Sequence, residues 1–180
     1  MGPFTLVDNL GLDICLDATT VLLKEYGNRM KPAEIWGKLY ALQYFGVKTG
    51  AGFYSYSPDK PDVMAKIVQD LKSKTVKNDT GLSVERLIFP MINEAALCVE
   101  EHVAKAADID LAMIAGVGFP QDKHGLLKYA DEIGLDHVLS VLEELYGKHG
   151  DRFWPAPRLR RMVGAGFLGK KSGRGFFEYT

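Results

Sequence analysis

Few residues in this chain have the type and spacing to do chemistry. Gly164-Ala-Gly166-Phe-Leu-Gly169 spells a Gly-x-Gly-x-x-Gly run. Such a run can cradle the pyrophosphate of a dinucleotide when it follows a strand, opens a helix and has an acidic residue about 20 positions on. Here a helical pattern precedes it and only 11 residues follow it, so the context rejects that role. His102, His124, His137 and His149 form no His-x-x-x-His pair, and Cys15 and Cys98 form no Cys-x-x-Cys cluster. A metal site is therefore not expected. Each cysteine lies in an apolar helical pattern, which reads as a buried thiol in a reducing compartment. No Gly-x-Ser-x-Gly elbow or phosphate loop is present. Asn93-Glu94 lies off the apolar stripe of a helix, where Glu94 could bond backbone groups freed by Pro90, and a structural role outweighs a catalytic one. Lys48 and Lys171 sit in glycine-rich loops. Each could meet phosphate, cap a helix C-terminus or stand in solvent.

The elements that would position these groups come from a duplication. Gly46-Val-Lys-Thr-Gly-Ala-Gly-Phe-Tyr-Ser-Tyr56 returns as Gly169-Lys-Lys-Ser-Gly-Arg-Gly-Phe-Phe-Glu-Tyr179, 123 residues later. At the same offset Asp8-Asn-Leu-Gly-Leu-Asp13 returns as Asp131-Glu-Ile-Gly-Leu-Asp136. Residues 1–57 slide onto 124–180 without a gap and match at 17 positions. Chance gives only about one position in fifteen. One fixed register over this length marks a repeated structural unit.

Within each copy the pattern is helical. Pro3 suits the first turn of a helix that carries Phe4, Leu6, Val7 and Leu10 and stops at Gly11. Asp13 reads as the cap or first-turn acid of a second helix through Tyr26. Pro32 opens a third, expected to run through Trp36, Leu39 and Tyr40 to Phe45. The Gly46–Tyr56 segment reads as a tight loop and an extended tail whose aromatics pin back onto the helices. Between the copies, Ser57-Pro-Asp-Lys-Pro61 breaks structure. Asp62–Leu71 makes one amphipathic helix with Val63, Ile67 and Leu71 on a side, and Lys72–Gly81 is expected to be exposed and mobile. Residues 83–103 form the clearest helix. Ser83 caps it, and Val84, Leu87, Ile88, Met91, Ile92, Ala95, Cys98 and Val99 share a face. Pro90 inside it predicts a kink. Asp108-Ile-Asp110 is expected to cap a further helix ending at Gly116. The second copy then runs as helices from His124 to Asp131, from Asp136 to Tyr146, and from Pro155/Pro157 to Val163. No stretch alternates with a period of two long enough to build a sheet, so the chain is expected to be all-α.

Formal net charge is −1, which gives no electrostatic case for a nucleic-acid or membrane-surface partner. The short run Arg158-Leu-Arg160-Arg161 is the local exception and reads as a solvated helix face. No apolar run reaches the roughly 18–20 residues of a membrane span, and no signal peptide opens the sequence. A cytoplasmic location is the expectation. Asn78-Asp-Thr80 fits a glycosylation pattern of little weight without an export signal.

Several motifs in order, twice over, carry a family resemblance. Met1-Gly-Pro-Phe-Thr-Leu-Val-Asp-Asn-Leu-Gly-Leu-Asp13, Lys48-Thr-Gly-Ala-Gly-Phe-Tyr54, Phe89-Pro-Met-Ile-Asn-Glu-Ala95, Asp108-Ile-Asp110 and Gly116-Val-Gly-Phe-Pro120 resemble the C-terminal helical region of 3-hydroxyacyl-CoA dehydrogenase. The likeness is greatest to the tandem form of multifunctional fatty-acid β-oxidation proteins. It implies an upstream Rossmann domain that binds NAD and carries a histidine–glutamate pair. That pair takes the proton of the 3-hydroxyl of an acyl-CoA substrate as hydride passes to the nicotinamide. No catalytic residue and no cofactor is then expected within residues 1–180. The family's Asn-Arg pair near the substrate carbonyl reads Glu85-Arg86 in the second unit. A carboxylate cannot stand in for the amide, so that unit reads as scaffold.

The resemblance also implies that Met1, Pro3, Phe4 and Val7 form a wall of the acyl pocket, apolar as an acyl chain requires. The second copy has His124-Gly-Leu-Leu127 there, and the role does not extend to it. The expected layout is two tandem helical units related by a pseudo-two-fold. Residues 1–57 are the later part of a first unit truncated at its N-terminus, 58–80 a connector and 81–180 a complete second unit. Self-association of the chain is expected from apolar surface near Leu6, Leu10 and Leu22. A competing reading is a non-catalytic helical interaction module that kept the fold and lost the chemistry.

Overall fold

Glycine sets the helix lengths in both halves of the chain. The computed structural model describes residues 1–72 and 83–180. Helix α1 (Pro3–Leu10) stops at Gly11 and α2 (Leu12–Tyr26) stops at Gly27, both with positive φ. After a 3-10 turn comes α3 (Glu34–Ala41), and α4 (Met64–Lys72) follows the glycine–aromatic segment. Next come α5 (Val84–Glu100) and α6 (Ala106–Val117), then α7 (Leu126–Ile133), α8 (Leu135–His149) and α9 (Pro157–Gly164). Helices α7, α8 and α9 begin and end 123 residues after α1, α2 and α3. The duplication is thus one of backbone as well as of sequence. Among the described residues there is no strand, only isolated bridges, and the all-α expectation is met.

The chain divides into two compact units, Met1–Thr80 and Gly81–Thr180. In the first, Leu12, Leu39, Tyr44, Ala51, Phe53 and Ile67 make the core. Helix α4 joins it through Ile67, flanked by half-buried Val63, Met64 and Leu71, on the side that the amphipathic pattern indicates. The remainder of the polar stretch, including the Asn78-Asp-Thr80 pattern, lies outside the described residues. In the second unit, α5 packs on α7, α8 and α9. Phe89, Ile92, Leu126, Leu127, Leu135, Val138, Leu142 and Leu159 are among its most deeply buried side chains. Burying a side chain of this size stabilises by roughly 1.5–3 kcal/mol.

Several boundaries and faces differ from the sequence reading. Helix α3 stops at Ala41, and Phe45 lies outside it with its carbonyl accepting the Leu12 amide at 3.2 Å. Helix α6 starts at Ala106, so Asp108 is a first-turn acid and not the cap. Its C-cap is Gly118 in the left-handed region, two residues beyond the expected end. Helix α7 starts at Leu126, and His124 precedes it with φ +57°. Ser83 caps α5 as expected, accepting the Arg86 amide at 3.1 Å, and the helix runs through Pro90. Its buried face is rotated from the expected one. Phe89, Ile92, Asn93, Ala95 and Ala96 are buried, whereas Val84 and Leu87 are exposed. The apolar count alone misplaces the stripe because a polar residue, Asn93, belongs in it.

Candidate functional site

Each repeat is built around one buried aspartate. In the first, Asp8 Oδ1 accepts the Phe53 amide at 2.8 Å. Asp8 Oδ2 accepts the Tyr54 amide and the Tyr56 hydroxyl, both at 3.0 Å. In the second, Asp131 accepts the Phe176 and Phe177 amides at 2.9 Å and the Tyr179 hydroxyl at 3.0 Å. Both aspartates are buried. The glycines of the repeated loop make this fit possible. Gly46 and Gly169 lie against the backbone of Asp8 and Asp131, and a Cβ on either would come within 2.7 Å of the aspartate's carbonyl carbon. Gly52 and Gly175 lie against the carboxylates themselves. The Lys-x-Gly-x-Gly-aromatic signature is therefore a clamp that ties the extended tail to the first helix of its repeat, α1 or α7. Asp8 and Asp131 were legible only as identities in the repeat. An acid held at the same place in two copies of an otherwise apolar helix flank was the signal.

The loop lysines have a structural task too: each pairs with a first-turn aspartate. Lys48 Nζ sits 2.6 Å from both carboxylate oxygens of Asp13, in the first turn of α2. Lys171 Nζ lies 2.7 and 2.6 Å from those of Asp136, in the first turn of α8. The neighbouring lysine holds each aspartate below the usual carboxylate range. Burial works the other way on Asp131 and Asp110, pushing both carboxyls up against the backbone donors that favour the charged form. Asp110 was expected to cap its own helix. Instead it is buried within α6 and caps the next one, accepting the Leu127 amide at 2.6 Å and the Lys128 amide at 3.1 Å.

Asn93 is likewise a strut. Its Oδ1 accepts the Ala156 amide at 2.7 Å and its Nδ2 donates to the Trp154 carbonyl at 2.9 Å. It lies on the packed face of α5 and not off it as the apolar periodicity predicts. Asn93 is only 2% exposed, because an amide side chain can serve one free donor and one free acceptor at once. Glu100 accepts the Arg158 amide and pairs with Arg161 at 2.7 Å. Arg160 stacks over Trp154 and Leu159 is fully buried, so Arg160 and Arg161 have partners while standing on the exposed face of α9 that the sequence reading expects. Glu85, standing where the resemblance would put an asparagine, lies 3.3 Å from His137 Nε2 on the exposed side of α5. Cys15 and Cys98 are half-buried free thiols, and burial raises the Cys15 thiol above its usual value.

The four expected wall residues open the first unit. Phe4 stacks on Phe53 with ring centroids 4.6 Å apart, and Val7 packs on the same core. Met1 and Pro3 are exposed. Phe4 and Val7 thus meet the glycine–aromatic tail, whose Phe53 pins back onto α1 as the sequence reading expects. Gly164-Ala-Gly166-Phe-Leu-Gly169 lies at the end of α9, and Gly169 is filled by the Asp131 backbone. The residues present make no dinucleotide cradle. Among the described residues no group of three or more His, Cys, Asp or Glu side chains gathers as a metal site. No helix there is long and apolar enough to cross a membrane.

The model of the 3-hydroxyacyl-CoA dehydrogenase C-terminal domain matches residues 1–56 and 81–179. The chain belongs to that family. The two matched stretches are the two repeats with their flanks, so the 3-hydroxyacyl-CoA dehydrogenase domain signature is read in both units. Among curated relatives, the fatty acid oxidation complex subunit alpha of Idiomarina loihiensis is 34% identical over 172 residues. That similarity covers 93% of this chain and 24% of the relative, so the chain spans about a quarter of that protein's length. Among solved structures, the (S)-3-hydroxybutyryl-CoA dehydrogenase of Ralstonia eutropha is 38% identical over 69% of this chain and 46% of that one, with a TM-score of 0.53. The 3-hydroxybutyryl-CoA dehydrogenase of Escherichia coli covers 93% of this chain and 52% of that one, with a TM-score of 0.71 at 21% identity. The last likeness is one of fold.

Proposed function

We propose that this chain is the C-terminal helical part of an NAD-dependent (S)-3-hydroxyacyl-CoA dehydrogenase of fatty-acid β-oxidation. The parent protein oxidises (S)-3-hydroxyacyl-CoA to the 3-ketoacyl-CoA, with the dinucleotide and the reacting side chains held by a domain outside residues 1–180. The family match running over both repeats carries this reading. Residues 1–57 form the later part of one helical unit, 58–80 link the units, and 81–180 form a complete unit. Met1, Pro3, Phe4 and Val7 face the acyl chain. The stack of Phe4 on Phe53 supports this, because it fixes an apolar surface in place before the substrate arrives. The enzyme works in the cytoplasm.

Two experiments test this. The chain 1–180 is expected to show neither NAD binding by calorimetry nor oxidation of (S)-3-hydroxybutyryl-CoA. Turnover by the chain alone overturns the assignment of the chemistry to another domain. In the longer, dehydrogenase-competent polypeptide, Phe4→Ser should lower kcat/KM for long acyl chains about tenfold while leaving a four-carbon substrate nearly unchanged. Equal loss on both removes Phe4 from the acyl wall. Self-association of chain 1–180 is also expected. Leu6, Leu10, Ile14, Val21, Leu22 and Tyr26 are all exposed on α1 and α2, and exposed apolar surface favours association. A monomer by light scattering at high concentration counts against it.

A further inference from the structure

In the second unit α5 lies over α8, α9 and the turn between them. Val138, Leu142, Phe153, Pro155, Ala156 and Leu159 are buried there. The positions 123 residues earlier, on α2, α3 and the turn between them, are Cys15, Thr19, Met30, Pro32, Ala33 and Trp36. Ala33 is exposed and the other five are only half-buried. The backbone beneath is the same, since α2 and α3 keep the register of α8 and α9. One surface is thus covered by a helix in one unit and open in the other. A polar contact makes the difference specific. Phe89, Ile92, Ala95 and Ala96 surround Asn93 on the buried side of α5. Asn93 Oδ1 accepts the Ala156 amide at 2.7 Å, and its Nδ2 donates to the Trp154 carbonyl at 2.9 Å. The counterparts of these backbone groups belong to Ala33 and Lys31. Among the described residues the Ala33 amide has no acceptor.

We propose that the α2–α3 groove of the first unit seats a helix of the α5 kind, amphipathic and with an asparagine among its apolar residues. The asparagine Oδ1 accepts the Ala33 amide, and its Nδ2 donates to the Lys31 carbonyl. The asparagine selects the helix, because an apolar residue in its place leaves the Ala33 amide covered and unmatched. The helix comes from outside residues 1–180, in the longer polypeptide that the dehydrogenase reading requires. The inference rests on that reading for the source of the helix and on the duplication for its chemistry. A second copy of this chain does not supply it, since Asn93 and the apolar side of α5 are engaged within the second unit of every copy.

The probe is a synthetic peptide of residues 83–104, which carries α5 with its Ser83 cap. It is titrated into the chain 1–180 and followed by backbone amide NMR. Saturable shifts over residues 15–36 are expected, with the Ala33 amide among the largest. The Asn93→Ala peptide should bind about tenfold more weakly. In the chain, Ala33→Pro removes the donor with little strain, because φ at Ala33 is already −68°. That variant should bring the two peptides within about threefold of each other. Absence of saturable shifts, or equal binding of both peptides to the parent chain, overturns the proposal. So do shifts confined to α8 and α9, which mean exchange with α5. Shifts over residues 15–36 that grow with chain concentration, and that the peptide does not abolish, assign the groove to a second copy and also overturn it. The dehydrogenase reading is judged separately, by turnover in the longer polypeptide.

Discussion

Replacing Gly175 by alanine tests the aspartate clamp with a single methyl group. Gly175 does not have a positive φ, so alanine meets no backbone strain there and acts only through space. Its Cβ would overlap the Asp131 carboxylate. To make room, the carboxylate must leave the position where it accepts Phe176, Phe177 and the Tyr179 hydroxyl. Hydrogen bonds to a charged acceptor contribute about 1.5–3 kcal/mol each. Losing the geometry of three while keeping part of each should destabilise by about 3–4 kcal/mol. The reduced freedom of the unfolded chain returns only about 0.5–1 kcal/mol. For a unit of this size each kcal/mol moves Tm by about 4–8 °C. The second-unit transition should therefore fall by on the order of 10–20 °C in calorimetry. Gly147→Ala is the control, since nothing lies within 4 Å of its Cβ in α8. It should stabilise by up to about 1 kcal/mol. Tyr179→Phe should cost clearly less in the Gly175→Ala background than in the parent, because both changes act on one carboxylate. A Gly175→Ala protein within about 0.5 kcal/mol of the parent, or strict additivity with Tyr179→Phe, would refute the clamp as the reason for the glycine.

Other consequences follow from the same geometry. Asn93→Ala leaves the buried Ala156 amide and the Trp154 carbonyl without partners, and should destabilise the second unit by about 2–3 kcal/mol in urea. Asp110→Ala frees the Leu127 and Lys128 amides at the start of α7, with an expected loss of about 1–2 kcal/mol by the same measurement. Carboxyl NMR should show Asp131 and Asp110 titrating above the ordinary aspartate value of 3.8 and Asp136 and Asp13 below it. The signs for stability are then opposite. The lowered pair of aspartates contributes stability that is present above the unfolded value and lost as pH falls through the folded one. The raised pair contributes stability that is present below the unfolded value and lost as pH rises through the folded one. Lys171→Met should accordingly differ from the parent at neutral pH and converge with it in acid, and a difference that persists in acid would refute the pairing.

Much of this architecture was legible in the chain because glycine and proline punctuate it. Gly11 and Gly27 end helices where the sequence says they should, whereas the second copy's helices run past the expected Asp131 and Tyr146 to Gly134 and Gly150, where the fixed offset of the repeat puts their ends. What was not legible has a common physical cause. Asp8, Asp131, Asn93 and Asp110 are polar residues in buried positions, and hydrophobic periodicity sends such residues to the surface. Each is buried because it meets free backbone amides from a segment far along the chain. Asp131 reaches 45 to 48 positions ahead and Asn93 reaches 63. Local pattern has no access to a partner at that distance. The same holds for Lys48 and Lys171, whose aspartates lie 35 residues earlier.

The duplication also separates what maintains the fold from what distinguishes the two units. The aspartate clamp, the lysine–aspartate pair and the amide of Leu12 or Leu135 on the loop carbonyl recur in both, at matching distances. The side of the first two helices does not. Leu127 is 0% exposed beneath its neighbours, while the equivalent Phe4 is 51% exposed. Val138 is buried, and the equivalent Cys15 is half-buried. In the second unit α5 lies on α7 and α8, and its Asn93 bonds the segment before α9. The matching positions before α3 are Lys31 and Ala33. The clamp recurs in both units and so serves folding, while the exposure of the helix face differs between them. Changes at Asp8 and Asp131 should therefore act alike on stability, whereas changes at Phe4 and Leu127 should not: Leu127→Ala should destabilise by about 2–5 kcal/mol, and Phe4→Ala by clearly less. Equal losses at those two positions would put Phe4 in the core of its unit and leave the acyl wall without its central residue.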